Sequence, residues 1–201
     1  MSIYLCVLDF EATCWPGEKR ATQEIIEFPS VLYELDSNNK VKWMGEFSKY
    51  VRPVLEPILS DFCTELTGIT QEQVDLAEPI EVVYEKHYQW LKSLVPEDKM
   101  NQIFVVTCGA WDLKTMLPLE VKNKKLTYHH VYNRFINIKT EFEFAYNVKA
   151  GGMTNMLSKL GLTLDGRHHS GIDDTRNIVK ILLKMIEDGH TKFNPIVVNK
   201  N

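Results

Sequence analysis

The sequence has few cysteines and no C-x-x-C pair, since Cys6, Cys14, Cys63 and Cys108 stand apart from one another. A disulfide framework or a thiolate zinc site is therefore not expected, and a reducing compartment, cytoplasmic or nuclear rather than secreted, fits best. No apolar run is long enough to cross a membrane, and the N-terminus lacks a basic segment followed by an apolar stretch. The sequence thus predicts no association with a membrane.

The chain also lacks a positive net charge, low-complexity tracts and any excess of proline or glycine. Its 201 residues are 44% hydrophobic and 25% charged, with a net charge of −4, as is typical of a globular protein. The net charge excludes a generally basic protein that coats nucleic acid. It does not exclude a local basic groove, because the electrostatic attraction of a charged ligand depends on where the charges lie and not on their sum. We expect residues 1–201 to form one domain.

Five apolar stretches predict strands, and the helical segments among them predict an α/β fold with a mixed five-stranded sheet flanked by helices. The predicted strands are Ile3–Leu8, Ile25–Leu35, Val41–Val51, Ile103–Thr107 and Phe135–Ile138. The short turn at residues 37–40 makes the second and third strands an antiparallel hairpin.

Capping and periodicity predict the helices. Thr70 and Gln73 match a capping box, so a short helix is expected to begin at Thr70. Further helices are predicted from Ser60, over Ile80–Leu94, after Trp111 to near Pro118, over Thr154–Leu160 and over Asp174–Glu187.

Two carboxylates end the first apolar stretch. Asp9 and Glu11 are spaced i, i+2, so alternation along a strand puts both on one side and Phe10 on the other. Acids at the end of a buried strand are costly unless their charge is offset, and oxygen ligands favour Mg²⁺ or Mn²⁺. A solvated polar strand end is the alternative that this stretch alone leaves open.

Two further acids lead into helices. Asp112 follows a buried strand where the chain leaves the sheet, although a first-turn aspartate is common and stabilising there. Asp174 lies on the apolar stripe of the last helix, four residues before Ile178, whereas Asp173 lies on the polar face and fits a cap better. The four acids together fit two divalent ions about 3.5–4 Å apart, which promote in-line displacement at phosphorus.

Two adjacent histidines, His168 and His169, precede Asp174 on a loop that contains glycine. An imidazole with an unperturbed pKa near ~6.5 suits proton abstraction at neutral pH. Zinc binding by the pair is the competing interpretation. The sequence disfavours it because adjacent residues rarely both reach one ion and no thiolate is placed to help.

These residues resemble a known family. The motif Asp9-Phe10-Glu11-Ala12-Thr13-Cys14, then Asp112, then His169 five residues before Asp174 resembles the DEDDh exonuclease superfamily, and within it the eukaryotic histone-mRNA 3′-exonuclease (enhanced-RNAi) family. Further similar stretches are 24–29, 50–53, 59–63, 66–70, 109–112 and 166–169. The resemblance covers nearly the whole chain, and the ordered set of motifs is highly specific.

The resemblance implies an RNase H-like fold and Mg²⁺-dependent 3′→5′ hydrolysis of RNA to nucleoside 5′-monophosphates. It implies two Mg²⁺ ions, which Mn²⁺ can replace, bound by Asp9, Glu11, Asp112 and Asp174. It also implies that Glu11 and His169 take part in catalysis, with His169 as the general base. His168 is the alternative base, and the spacing to Asp174 favours His169.

The resemblance further implies how the substrate is held. The backbone of Phe10, Ala12 and Thr13 is expected near the terminal ribose, and Trp111 is expected to contact the substrate. The terminal nucleotide is expected to contact Leu66, Thr67, Gly68 and Ile69. The Ile69 side chain could pack on a base face, which every base offers.

The expected partners are RNA 3′ ends, single-stranded or overhanging, with DNA as an alternative substrate and a non-catalytic RNA-binding module as an alternative function. No protein partner is indicated. Because the first strand begins at residue 3, we expect a stand-alone catalytic domain, without the N-terminal nucleic-acid-binding domain of relatives known for stem-loop binding. The basic and aromatic stretch Lys122–Arg134 could follow a single strand or form a solvated loop and helix.

Overall fold

A mixed β-sheet forms the centre of the protein. The computed structural model describes residues 2–18 and 20–198. The strands are β1 Ile3–Leu8, β2 Glu11–Ala12, β3 Ile25–Leu35, β4 Val41–Arg52, β5 Glu78–Pro79, β6 Ile103–Thr107, β7 Arg134–Asn137 and β8 Ile196–Val197. Their order is β5-β4-β3-β1-β6-β7-β8, with β2 paired to β3. The predicted α/β class and the five predicted strands are confirmed, and β2, β5 and β8 are two-residue additions too short to carry a pattern.

Strand β1 lies in the middle of the sheet. It pairs antiparallel with β3 and parallel with β6. The side chains of Leu5, Cys6, Val7 and Leu8 are fully buried, because both faces of the sheet are covered by helices. The absence of alternation in this stretch therefore reflects a central, doubly covered strand.

Seven α-helices accompany the sheet in the described residues. They are α1 Asp61–Thr67, α2 Gln71–Asp75, α3 Ile80–Leu94, α4 Leu117–Lys124, α5 Ile138–Tyr146, α6 Met153–Lys159 and α7 Gly171–Glu187. Helices α3 and α4 pack on one face, and α5, α6 and α7 pack on the other. The predicted capping box at α2 is present, with Thr70 and Gln73 bonded reciprocally. None of these helices combines the length and the apolarity that a membrane crossing requires.

The helix predicted to end near Pro118 does not end there. A π-helical segment, Asp112–Met116, runs directly into α4, and the Leu117 N–H donates to the Asp112 carbonyl oxygen. Pro118 is the second residue of α4, and its fixed φ suits the first turn of a helix. The prediction treated Pro118 as the end of a helix, whereas here it lies in the first turn of one.

Helix α5 was not predicted from the sequence. It begins directly after β7 at Asn137, whose side chain accepts a hydrogen bond from the Lys139 N–H at 3.1 Å. Its inward residues Ile138 and Phe142 are only four positions apart. Ile138, Phe142 and Tyr146 recur every four residues, but the exposed Phe144 lies off this stripe and blurs the period that would separate this helix from the strand before it.

Candidate active site

The first acidic pair lies where β1 leaves the sheet. Asp9 follows the last residue of β1, and Glu11 begins β2, opposite Glu27 of β3. Both residues are intermediate in exposure. Phe10 lies on the other side of the chain, 4% exposed, with its ring 4.7 Å from that of Phe28 in an edge-to-face contact. The buried phenyl ring anchors the segment and leaves both acids on the open side.

Asp112 reaches the same place from the other side of β1. Its carboxylate is 4% exposed, and Oδ1 accepts a hydrogen bond from the Phe10 N–H at 2.9 Å. Asp112 begins the π-helical segment and does not cap a helix with its side chain. A π turn is rare and occurs mostly at functional sites. The hydrogen bond fixes Asp112 beside the backbone that carries Asp9 and Glu11.

Helix α7 supplies the fourth acid. Asp174 is 3% exposed on the inward face of the first turn, as its helical position predicts. Glu27 holds this end of the helix, because its carboxylate accepts hydrogen bonds from the Gly171 and Ile172 N–H groups at 2.9 and 3.1 Å. Gly171 is needed there, since a Cβ would lie 2.9 Å from Glu27 Oε2 and 3.0 Å from the Asp9 carbonyl oxygen.

The four acids lie close enough to repel one another. Carboxylate oxygens of Asp9, Glu11 and Asp174 all lie within 4.8 Å of one another. Burial, then the charges of Asp112, Glu11 and Asp174, raise the pKa of Asp9 well above its usual range. Burial and Glu27 raise the pKa of Glu11 to about 9, and burial raises the pKa of Asp112 to about 6. No lysine or arginine in the described part of the chain forms an ion pair with any of the four.

An all-oxygen set of ligands with uncompensated negative charge fits a hard divalent cation. Mg²⁺ and Mn²⁺ prefer carboxylate oxygens, and a bound cation would lower the pKa values that burial and repulsion raise. Asp9, Glu11 and Asp174 form the nearest group, and Asp112 adjoins it through the Phe10 backbone. The four carboxylates therefore fit divalent metal ions.

The two histidines lie beside Asp174 with different contacts. His168 directs Nδ1 to Asp174 Oδ1 and Oδ2 at 3.2 and 3.0 Å, whereas His169 donates its backbone N–H to Oδ2 at 2.9 Å. The two rings stack with centroids 3.9 Å apart. Burial and the neighbouring His168 lower the pKa of His169, so its imidazole is neutral at pH 7.

The predicted nucleotide-binding segment lies at the end of α1. The Cys63 thiol of that helix lies 3.8 Å from the Ala12 carbonyl oxygen, so α1 packs beside the first acidic segment. Leu66 and Gly68 are partly exposed, and Thr67 is buried with its hydroxyl donating to the Cys63 carbonyl oxygen. Trp111 is 39% exposed.

One expectation for this segment is wrong. The Ile69 side chain is 2% exposed and packs in a small core with Ile26, Leu59, Cys63 and Val74. It therefore has no free face on which a base could pack. Only the backbone of Ile69 is compatible with a nucleotide contact. The side chains of Phe10, Ala12 and Thr13 are also buried, so a substrate could reach only their backbone.

Three residues of the site were missed. Glu27 holds α7 as described, and a charged residue inside an apolar strand was the available signal. Arg167 donates from its guanidinium to the carbonyl oxygens of Glu65 and, at 3.3 Å, Leu66, and so joins the histidine loop to α1. Asn177, which the helical pattern put on the polar face, is fully buried and donates to the carbonyls of Asp165 and Asp173 at 2.8 Å.

The stretch Lys122–Arg134 was expected as a possible contact surface for single-stranded nucleic acid. Two of its side chains are not available for such contact. Lys124 is 7% exposed in its side chain and pairs with Glu24 at 2.8 Å. Tyr132 is fully buried, with its hydroxyl 2.6 Å from His87 Nδ1. The interleaving of basic and aromatic residues in this stretch is therefore in part a consequence of core packing, whereas Lys122 and Lys125 are exposed.

Comparison with known proteins identifies relatives over nearly the same span. A family model described as Exonuclease matches residues 6–182. ERI1 exoribonuclease 2 of Xenopus laevis is 38% identical over 200 residues, which cover 92% of this chain and 29% of that protein. The 3′-5′ exoribonuclease 1 of Rattus norvegicus is 40% identical over 189 residues, 92% of this chain and 54% of that protein. The chain thus spans about a third to a half of the length of these relatives.

A solved structure supports the fold comparison at higher coverage. The nuclease domain of 3′hExo, described as a DEDDh family member bound to rAMP, superimposes with a TM-score of 0.86 at 37% sequence identity. The match covers 95% of this chain and 96% of that one. The chain therefore has the RNase H-like exonuclease fold.

Proposed function

The chain belongs to the exonuclease family that matches it, and we propose that it is a metal-dependent 3′→5′ exoribonuclease that releases nucleoside 5′-monophosphates. The observation that carries this proposal is the meeting of four carboxylates from three distant segments. Asp9 and Glu11, Asp112 and Asp174 come together without a lysine or arginine partner in the described residues. A binding module has no need to maintain such mutual repulsion.

We propose two Mg²⁺ ions as the cofactors, with Mn²⁺ able to replace them. The family generally uses divalent metal ions, and the oxygen ligands here suit both cations. When bound, such ions supply Lewis acidity and neutralise charge at phosphorus. Asp9, Glu11, Asp112 and Asp174 would hold them.

The protein's own groups would accept the proton of the attacking water and hold the terminal nucleotide. His169, neutral at pH 7, takes the proton of the attacking water as general base. The Phe10–Thr13 backbone lies near the terminal ribose, and contact with a 2′-hydroxyl there would favour RNA over DNA. Leu66, Thr67 and Gly68 contact the terminal nucleotide, and the exposed Trp111 indole contacts its base. The DEDDh relative bound to rAMP supports a nucleoside monophosphate product.

The proposed substrates are single-stranded RNA and 3′ overhangs. The proposal that residues 1–201 act as one exonuclease domain is supported by the single sheet that joins β1 to β8. None of the four cysteines forms a disulfide bond. This supports the proposal that the protein acts in a reducing compartment, the cytoplasm or the nucleus.

The direct test is degradation of 5′-labelled single-stranded RNA in Mg²⁺, with a DNA oligonucleotide of the same sequence in parallel. We expect stepwise shortening from the 3′ end, and loss of activity by a factor of at least about 100 in Asp9→Asn and Asp112→Asn. The matched control is Asp98→Asn, an exposed aspartate, which should keep wild-type activity. Absence of RNA degradation by the wild type, or full activity of Asp9→Asn, would refute the proposal, and faster degradation of DNA would reassign the substrate.

A further inference from the structure

The histidine loop has a second set of metal ligands. His168, His169 and Asp174 each offer one ligand atom, and these three atoms lie within 4.8 Å of one another. Two nitrogens and one oxygen are a different ligand set from the all-carboxylate group. Imidazole suits Zn²⁺ and other late first-row cations, whereas Mg²⁺ prefers oxygen.

The backbone explains how two adjacent histidines can face one ion. His169 adopts a left-handed conformation with φ of 66°, which is uncommon for a residue other than glycine. In an extended chain, consecutive side chains point to opposite sides. Here the two rings instead stack on one side, with planes 19° apart and centroids 3.9 Å apart. The loop therefore brings both rings to one side of the chain, and one stacked ring must turn before both nitrogens point to the same ion.

The distances are already close to those of a zinc site. His168 Nδ1 lies 3.0 and 3.2 Å from the two Asp174 oxygens. Ligand atoms of tetrahedral Zn²⁺, with bonds of about 2.0–2.1 Å, are about 3.3 Å apart. The His169 nitrogen lies within 4.8 Å of both other ligand atoms, so its ring must rotate out of the stack to reach the ion.

Access and orientation also favour an ion. The His168 side chain is 44% exposed, whereas that of Asp174 is 4% exposed. The Asp174 carboxylate is oriented by the His169 N–H at 2.9 Å, as ligating carboxylates generally are oriented by hydrogen bonds. The open side leaves a fourth position for water, and the buried side provides a fixed ligand.

We propose that His168, His169 and Asp174 form an inhibitory site for Zn²⁺ beside the Mg²⁺-binding carboxylates. Zinc there occupies the His169 nitrogen needed as general base and withdraws Asp174 from the other metal site. Micromolar Zn²⁺ would thus switch off an enzyme that millimolar Mg²⁺ keeps active. Binding of Zn²⁺ to this site can be measured without RNA, whereas inhibition of RNA degradation by Zn²⁺ rests on the proposed function.

The binding test uses the whole chain in millimolar Mg²⁺, with Co²⁺ as a spectroscopic substitute for Zn²⁺. We expect the strong visible absorption of four-coordinate Co²⁺, one ion per chain, which Zn²⁺ removes on titration. His168→Ala and His169→Ala should each lose the band, while Asp9→Asn should keep it. The matched control is His130→Ala, because the adjacent pair His129 and His130 is in none of the ligand groups found among the described residues.

The activity test compares Zn²⁺ inhibition of RNA degradation within each variant. We expect the concentration of Zn²⁺ for half inhibition to rise at least tenfold in His168→Ala relative to wild type and to stay unchanged in His130→Ala. Circular dichroism confirms that each variant is folded. A wild type without the Co²⁺ band, a band that persists in both His168→Ala and His169→Ala, or a band lost in Asp9→Asn would overturn the site. Inactivity of the wild type towards RNA would instead refute the proposed function and leave the binding result valid.

Discussion

At the scale of single residues, the two histidines make different contacts with Asp174 although they are adjacent. His168 makes the side-chain contact with Asp174, and His169 makes a backbone contact and keeps its ring free of hydrogen bonds to protein groups in the described residues. A general base needs a free lone pair near the attacking water. His168 Nδ1 is already directed at a carboxylate, so His168 could act as a base only through Nε2.

We therefore predict that His169→Ala lowers the rate of RNA hydrolysis by about 10²–10⁴ at neutral pH, and that His168→Ala lowers it by less than about tenfold. Since burial lowers the pKa of His169, the wild-type rate should fall on the acid side only below the ordinary histidine value of ~6.5. Single-turnover rates from pH 5 to 8 in zinc-free buffer with millimolar Mg²⁺ measure both effects. A larger loss in His168→Ala would exchange the two assignments.

At the scale of elements, Arg167 joins the loop that carries the histidines to the C-terminal end of α1. Its guanidinium lies over Gly68, the residue with φ of 76° that ends the helix. The helix C-terminus carries partial negative charge, so a cation is favourable there. This contact links the loop that carries the two histidines to the proposed nucleotide-binding segment.

Replacing Gly68 tests that link. An added Cβ would overlap the Arg167 guanidinium, so Gly68→Ala should displace the arginine and raise KM for RNA several-fold. Gly161→Ala is the matched control, because Gly161 has φ of 68° and a Cβ added there would meet no neighbour within 4 Å. Both substitutions should cost about 1 kcal/mol in unfolding free energy, measured by urea denaturation. Equal KM values for the two variants would show that the contact does not position the substrate.

At the scale of the whole molecule, the sequence predicts the strands and helices whose apolar residues repeat at a strong period. It also predicts the acidic residues that stand where this period would put an apolar one. Alternation put Asp9 and Glu11 on one side of a strand, and helical spacing separated Asp174 from Asp173. The π-helical segment and the Arg167 contact depend on tertiary geometry that no local pattern encodes. Glu27 was missed because its burial shows only when β3 is seen against α7, although the same rule about buried acids applies to it.

The clustered acids also make folding stability depend on pH and metal. Glu11 has a pKa of about 9 in the fold against an ordinary value of 4.5, and the pKa values of Asp9, Asp112 and Asp174 are raised too. A folded state with raised carboxyl pKa values binds protons that the unfolded chain has released. In chelator, these groups should therefore lower the stability as pH rises from about 4.5 towards 9.

Thermal unfolding in chelator and in Mg²⁺ measures this dependence. We expect Mg²⁺ to raise Tm more at pH 8.5 than at pH 5, because a cation binds the ionised carboxylates of the folded state. Asp9→Asn should raise Tm in chelator at pH 8.5 and reduce the effect of Mg²⁺, since it removes one of the repelling charges. Asp98→Asn, which changes an exposed aspartate, should follow the wild type in both conditions. Identical profiles for wild type and Asp9→Asn would mean that mutual repulsion among these acids contributes nothing to stability.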